Sequence, residues 1–428
     1  MHGTQRLLAQ RSRPGPAFPL FLVSLSLILA ACGGKGAPSA GEDVALELEV
    51  QELYTVGSIT GEEWETFARI TAVAFDEEGS LYLLDADNFR VVKVAEDGSL
   101  VTEMGGQGDG PGEFGMPVAM SLTREGEVRV FDFGYGGFIR FDSDGGYLGS
   151  VPIDPEAMIF PNGALLSHPD GGVLSAGGGR SMRMGPDGPE FPKTRPVQLF
   201  ILADEIEVGS VYEGWNPATA DGDPSMRTSG GGGIQIQAPP QRAFDPELLF
   251  GLTSDGRVAV ADSTTYRIKI MNLEGTVEQV VQRPFTPRPV TETDRDAEKE
   301  RQLEEMTSSE GPRMMMRTDD GATMSISRDQ VQALFESRIE GMVFASEMPL
   351  ISGMAVDWND HIWVKRHGSA VGEEGPLDVL TLEGEYLGTL AAGEGRIPDA
   401  FGPDGLAAFI ETDELDVPRV EVRRLAIR

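Results

Sequence analysis

The chain holds a single cysteine, Cys32, and four histidines among 428 residues. With no second cysteine it forms no internal disulfide, so its stability must come from packing. Positive charge is scarce as well: 35 Lys and Arg stand against 69 Asp and Glu, for a formal net charge of -34. That balance opposes nonspecific attraction to nucleic acid or to an anionic membrane, and it reads as a soluble, self-repelling surface. The one sustained apolar run, Ala17 to Ala31, is too short to span a bilayer as a helix. No G-x-S-x-G elbow, Walker loop or G-x-G-x-x-G leading into a helix is present.

Glycine and proline, at 54 and 28, are plentiful, as a chain of many short strands requires. Ile70 to Met104 reads as four strands, with Glu78-Gly79 and Asp97-Gly98 where tight hairpins reverse the chain. The punctuation recurs. Gly79, Asp85 and Gly98 repeat their intervals as Gly126, Asp132 and Gly145, and again as Gly256, Asp262 and Gly275. Four-stranded repeats of roughly 40 to 45 residues predict an all-β fold, a β-propeller whose radial blades leave only short edges. Six blades are expected: Ile70 to Met104, about Pro117 to Val151, a ragged third (Asn162 to Leu174 and Pro196 to Tyr212), Leu248 to Val281, Leu350 to Leu390, and the C-terminal stretch. The last blade lacks an outer strand, which Val44 to Val56 supplies to remove the open edge.

Leu29-Ala30-Ala31-Cys32, behind Arg6, Arg11 and Arg13 and the apolar run, resembles the lipobox of bacterial lipoproteins. The resemblance implies a signal peptide over 1–31 cleaved after Ala31, acylation of Cys32, a tether over 32–43 and a propeller over 44–428. It makes the membrane a partner through the N-terminal lipid and places the protein in the cell envelope. Gly33 is not the Asp that retains enterobacterial lipoproteins at the inner membrane, so an outer-membrane destination is expected. GDGPGEF at 108–114 and LYLLDADNFRVVKV at 81–94 resemble NHL-repeat six-bladed propellers. In that pattern Asp85, Asp132 and Asp262 are the repeat aspartates, and Gly177 and Arg366 occupy their place in blades three and five.

The NHL-like group and related propellers include an amidating lyase with a histidine-bound zinc and lactonase-like enzymes with an acidic metal site, so a metal-dependent hydrolase or lyase is the alternative function. The residues argue against it. His361 and His367 flank one strand, roughly 20 Å apart, too far to share a zinc. The inner strands ITAVAF, PVAMSL, ELLFGL and ISGMAV present almost no carboxylate, while Asp76 and Asp357 at their ends read as turn formers. No catalytic residue, metal or cofactor is therefore expected, and the chain reads as a binding or scaffolding module for an envelope protein or small ligand.

Two segments fall outside the blades. Glu213 to Gln241 reads as a long loop. The segment 287–348 reads as a helical insertion, with a solvated first helix capped by Thr293. Its second helix carries a Ser327–Gln330 capping box and the apolar face Val331, Leu334, Phe335, Ile339 and Met342. Met314, Met315 and Met316 between the helices either pack beneath the second or form an adaptable contact surface. Every extension joins strands two and three of a blade, or one blade to the next, so all emerge on one face. That face, with Met314, Met315, Met316, Arg366 and His367 as its candidate residues, is the expected binding surface. The closing strand would start on the opposite, bare face, so the tether is expected to leave from there.

Overall fold

Blade one shows how the repeat folds. Ile70–Phe75, Leu81–Asp85, Arg90–Val94 and Leu100–Gly105 pair antiparallel in chain order. Gly79 (φ 81°) and Gly98 (φ 85°) take the left-handed position that its two tight hairpins require, each donating its amide to the residue three earlier. This computed structural model describes residues 41–154, 161–177, 183–185, 188–190, 194–217, 225–228, 234–237, 240–308, 315–317, 323–325 and 335–428.

The same pattern builds blade two (Pro117–Leu122 to Tyr147–Pro152), blade three (Pro161–Ser167 to Ile206–Trp215), blade four (Leu249–Leu252 to Val277–Gln282) and blade five (Ile351–Val356 to Tyr386–Leu390). Ala400–Phe401, Leu406–Thr412 and Pro418–Ile427 form blade six, and Leu48–Val56 completes it as the outer strand. The molecule is a six-bladed propeller of four-stranded antiparallel sheets with a helix between blades four and five.

Its core lies in the seams, because each radial sheet is apolar on both faces. Tyr82, Val91, Phe114, Val130 and Phe141 fill the seam of blades one and two; Ile268, Ile270, Ile362 and Val364 fill that of blades four and five. The closing strand serves two seams. Val56 joins the cluster between blades six and one, and Leu46, just ahead of the strand, joins that between blades five and six. The residues before it do not leave the bare face as expected. Leu46 donates its amide to Thr389 O, Thr389 donates its own to Val44 O, and Gly41 lies against Pro284, past the last strand of blade four.

Antiparallel order sorts the connections to two ends. The hairpin end carries the short turns after strands one and three. The loop end carries the connections between strands two and three and between blades, including the insertions. In the largest, helix α1 spans Glu292–Ser308. Its cap is Thr291, not Thr293: Thr291 Oγ1 accepts the Asp294 amide at 3.3 Å while Asp294 Oδ2 accepts the Thr291 amide at 2.9 Å. Nor is α1 solvated all round. Asp294 and Glu298 are buried, the first held by a two-pronged Arg288 at 2.7 and 2.8 Å and the second by Arg301 and Gln302. Charged pairs rather than apolar spacing mark its docked face, which is why hydrophobic patterning missed it. A short helix over 335–340 follows; Ile339 and Met342 are buried with Ala243, as the predicted face requires, while 327–334 lie outside the described residues.

Candidate functional site

The repeat aspartates are fasteners rather than reactants. Asp85 Oδ1 accepts the amides of Ala68 and Arg69, and its Oδ2 accepts Asn88 and Arg90. Asp132 does the same for Gly115, Met116 and Tyr135, pinning the loop that enters blade two to that blade's own turn. The GDGPGEF loop ends in Phe114, which is fully buried in the seam. Asp262 binds Lys269 Nζ at 2.8 Å and accepts the Tyr212 hydroxyl from the neighbouring blade.

Of the residues expected at the loop end, His367 is exposed and donates its backbone amide to Leu350 O. Arg366 is drawn inward instead. It pairs with Asp43 at 2.5 Å and with the fully buried Asp378 at 3.3 Å, and its guanidinium sits 4.7 Å over the Phe285 ring. Met315 and Met316 lie in the strand Met315–Arg317, which pairs with Thr323–Ser325. Met314, Ala31 and Cys32 lie outside the described residues. The two long connections are joined: Arg242–Ala243, ahead of blade four, pairs in parallel with Val343–Phe344, ahead of blade five. Phe244 and Phe344 stack at 5.7 Å, with Arg295 and Lys299 of α1 over the Phe344 ring. Met116, Phe133 and Tyr135 are exposed at the same end, on blade two.

The histidines are held apart. His168 Nδ1 accepts the Asp170 amide, which leaves Nε2 to donate to Gly256 O of the next blade at 2.9 Å. His361 Nδ1 faces Asp357 Oδ2 at 3.0 Å, and the hydrogen bond to Asp357 raises its pKa against the opposing effect of burial. Burial would lift Asp357, yet bonds from His361 and Trp363 hold its carboxyl below the usual range. As expected for turn formers, Asp76 accepts the amides of Glu78 and Ser80, and Asp357 those of Asn359 and His361. Among the described residues no three His, Cys, Asp or Glu side chains are grouped to hold a metal ion.

A deep opening lies at the other end. A cavity of about 670 Å³ occupies the hairpin half of the central channel, walled by the last residues of all six inner strands. Its mouth is set by the repeat. The residue after the one that opens the first hairpin is Glu77, Arg124, Pro169, Ser254 and Trp358 in blades one to five. Blades two and five stand opposite each other, and Arg124 reaches across to place its guanidinium 4.5 Å from the Trp358 ring centroid. Adjacent hairpins are stitched around this bridge: Glu77 donates its amide to Arg124 O at 2.8 Å, and Ser254 binds the Asp360 carboxylate through its amide and hydroxyl, both at 2.6 Å. Sequence reasoning missed this mouth, although comparing one hairpin position across blades would have put an Arg and a Trp three units apart.

No protein-family pattern matches the chain. A stretch of 101 residues is 35% identical to mouse NHL repeat-containing protein 3, covering 21% of this chain and 29% of that relative's length. Similar solved structures include a member of the duf4221 family from Bacteroides vulgatus (TM-score 0.49, 11% identity, 90% of this chain and 99% of that one). A gluconolactonase from Xanthomonas campestris aligns at TM-score 0.35 and 13% identity, over 91% and 99%. About a fifth of the chain is thus similar to an NHL-repeat protein, on a scaffold of six complete blades.

Proposed function

We propose that the protein is a lipid-anchored module of the cell envelope that binds an envelope protein through its insertion-bearing loop end. The observation that carries this reading is the parallel pairing of Arg242–Ala243 with Val343–Phe344, which ties two separate interblade connections into one platform on a rigid scaffold. Its own small core of Ala243, Ile339 and Met342 supports it. The exposed His367 and the cluster of Met116, Phe133 and Tyr135 at the same end add contact surface of the kind that marks interaction sites. The anchor rests on the lipobox resemblance at Cys32.

The test is to exchange 287–348 for a short Gly/Ser linker and to pull down partners from envelope extracts. A cooperatively melting propeller that captures nothing its parent captures is expected; undiminished capture would sink the proposal. Cys32→Ser tests the anchor. It should move the protein from the membrane fraction to the soluble one, since among the described residues no helix is long and apolar enough to cross a bilayer. A mutant that still sediments with membranes after a high-salt wash would refute lipid anchoring.

A further inference from the structure

The hairpin end has features that partner binding at the loop end does not use. In a chain of net charge -34, Arg124 has no carboxylate partner among the described residues; its guanidinium is held only by the Trp358 ring. Held by a ring and by no hydrogen bond among the described residues, the guanidinium keeps N–H donors for a bidentate acceptor. Trp358 therefore presets Arg124 over the channel mouth at little cost to its hydrogen-bonding capacity. Of the five carboxylates in the wall, four are engaged elsewhere: Glu127 by Arg129 and Arg140, each at 2.9 Å, Asp142 by the amides of Asp144 and Gly146, Asp357 by His361 and Trp363, and Asp399 by Arg396 at 2.8 Å. The fifth, Glu125, is exposed and makes no ion pair with Arg124 among the described residues.

Behind the mouth the walls carry the aromatic rings of Phe75, Phe250 and Phe401. The volume, about 670 Å³, falls within the range of small-molecule pockets, roughly 300 to 1,000 Å³.

We infer that this half of the channel is a binding site for a small amphipathic organic carboxylate, whose carboxylate is forked by Arg124 at the mouth and whose apolar body fills the channel against the phenylalanines. One guanidinium suits a monoanion, and apolar walls disfavour a bare inorganic ion, which would lose hydration without replacement.

The experiment uses the full chain, with octanoate and phenylacetate as probes and with acetate and n-octanol carrying the charge or the apolar body alone. Titration calorimetry and tryptophan emission report binding, the latter because Trp358 lies at the mouth. Octanoate or phenylacetate should bind at one site at least roughly tenfold tighter than acetate or octanol. Arg124→Gln should weaken that binding by roughly tenfold to a hundredfold, the loss expected for a charge-assisted hydrogen bond, and Arg124→Lys should fall between. Arg124 makes no side-chain hydrogen bond among the described residues, so an unchanged melting curve of Arg124→Gln would show that the loss is not unfolding. The chain with 287–348 exchanged should still bind octanoate, which separates this site from the partner surface. Absence of binding by both carboxylates, octanol binding as tightly as octanoate, or an unaltered affinity in Arg124→Gln would each overturn the assignment.

Discussion

Blade five inverts a charge pair and keeps the link. Where blade one ends its second strand in Asp85 and opens its third with Arg90, blade five has Arg366 and, on the third strand, the fully buried Asp378. One further arginine and one further acid complete the arrangement: Arg283 from blade four binds Asp378 at 2.9 Å, and Asp43 binds both arginines. A buried carboxylate between two guanidinia is sustained only while all partners remain, because removing one leaves an uncompensated charge. The repeat position was readable in the sequence and the inversion visible as Arg366. Its partner was not, since Asp378 and Asp43 lie 12 and 323 positions away and only folding brings them near. His361 gives a test at this scale. Its bond to Asp357 favours the imidazolium, so its folded pKa lies above the unfolded value of about 6.5. The stability this contributes is complete below the unfolded value and is lost as pH rises through the folded one. Urea midpoints of the parent should therefore fall between pH 6.5 and the folded midpoint, and those of His361→Gln should not fall with them. An NMR titration midpoint at or below 6.5 would contradict the assignment.

Strands were more legible than helices, for a physical reason. A hairpin needs φ > 0 at one defined position, and Gly79, Gly98, Gly126, Gly145, Gly256, Gly275 and Gly384 all adopt it, so punctuation located blades one, two, four and five. Where Asp360 replaces glycine in blade five it takes φ 63° and binds Ser254 with its carboxylate, so the turn survives and gains a bond to blade four. Helix α1 gave a poorer signal. Two threonines stand near its start, and only geometry shows that Thr291, three residues before Asp294, makes the reciprocal pair. Its buried side is acidic, satisfied by Arg288 and Arg301, and carboxylates in a run of charges look solvated until their partners are seen. The insertions were legible as departures from the repeat, and their common end followed from antiparallel order. Their joining through Arg242–Ala243 and Val343–Phe344 was not, because two-residue strands leave no periodicity to read.

Closure of the ring depends on a strand drawn from the far end of the chain. Leu48–Val56 pairs along Pro418–Ile427 from Leu48 opposite Ile427 to Val56 opposite Val420, and without it the backbone of Pro418–Ile427 would be an exposed edge open to pairing with another chain. The strand does more than cover an edge. Val56 is 1% exposed in the seam of blades six and one, Leu46 is 8% exposed in the seam of blades five and six, and Asp43 neutralises the arginine pair between blades four and five. Three seams thus lose a component if the segment goes. A chain beginning at Gly57 should lose about 1.5 to 3 kcal/mol for each of the two buried side chains before the lost strand pairing is counted. It should also associate through the opened edge, moving to larger species in size-exclusion chromatography as concentration rises. Adding the peptide 41–56 in trans should reverse that shift by refilling the edge in the same register. A truncated chain that stays monomeric with an unchanged urea midpoint would show that the other blades close the ring by themselves.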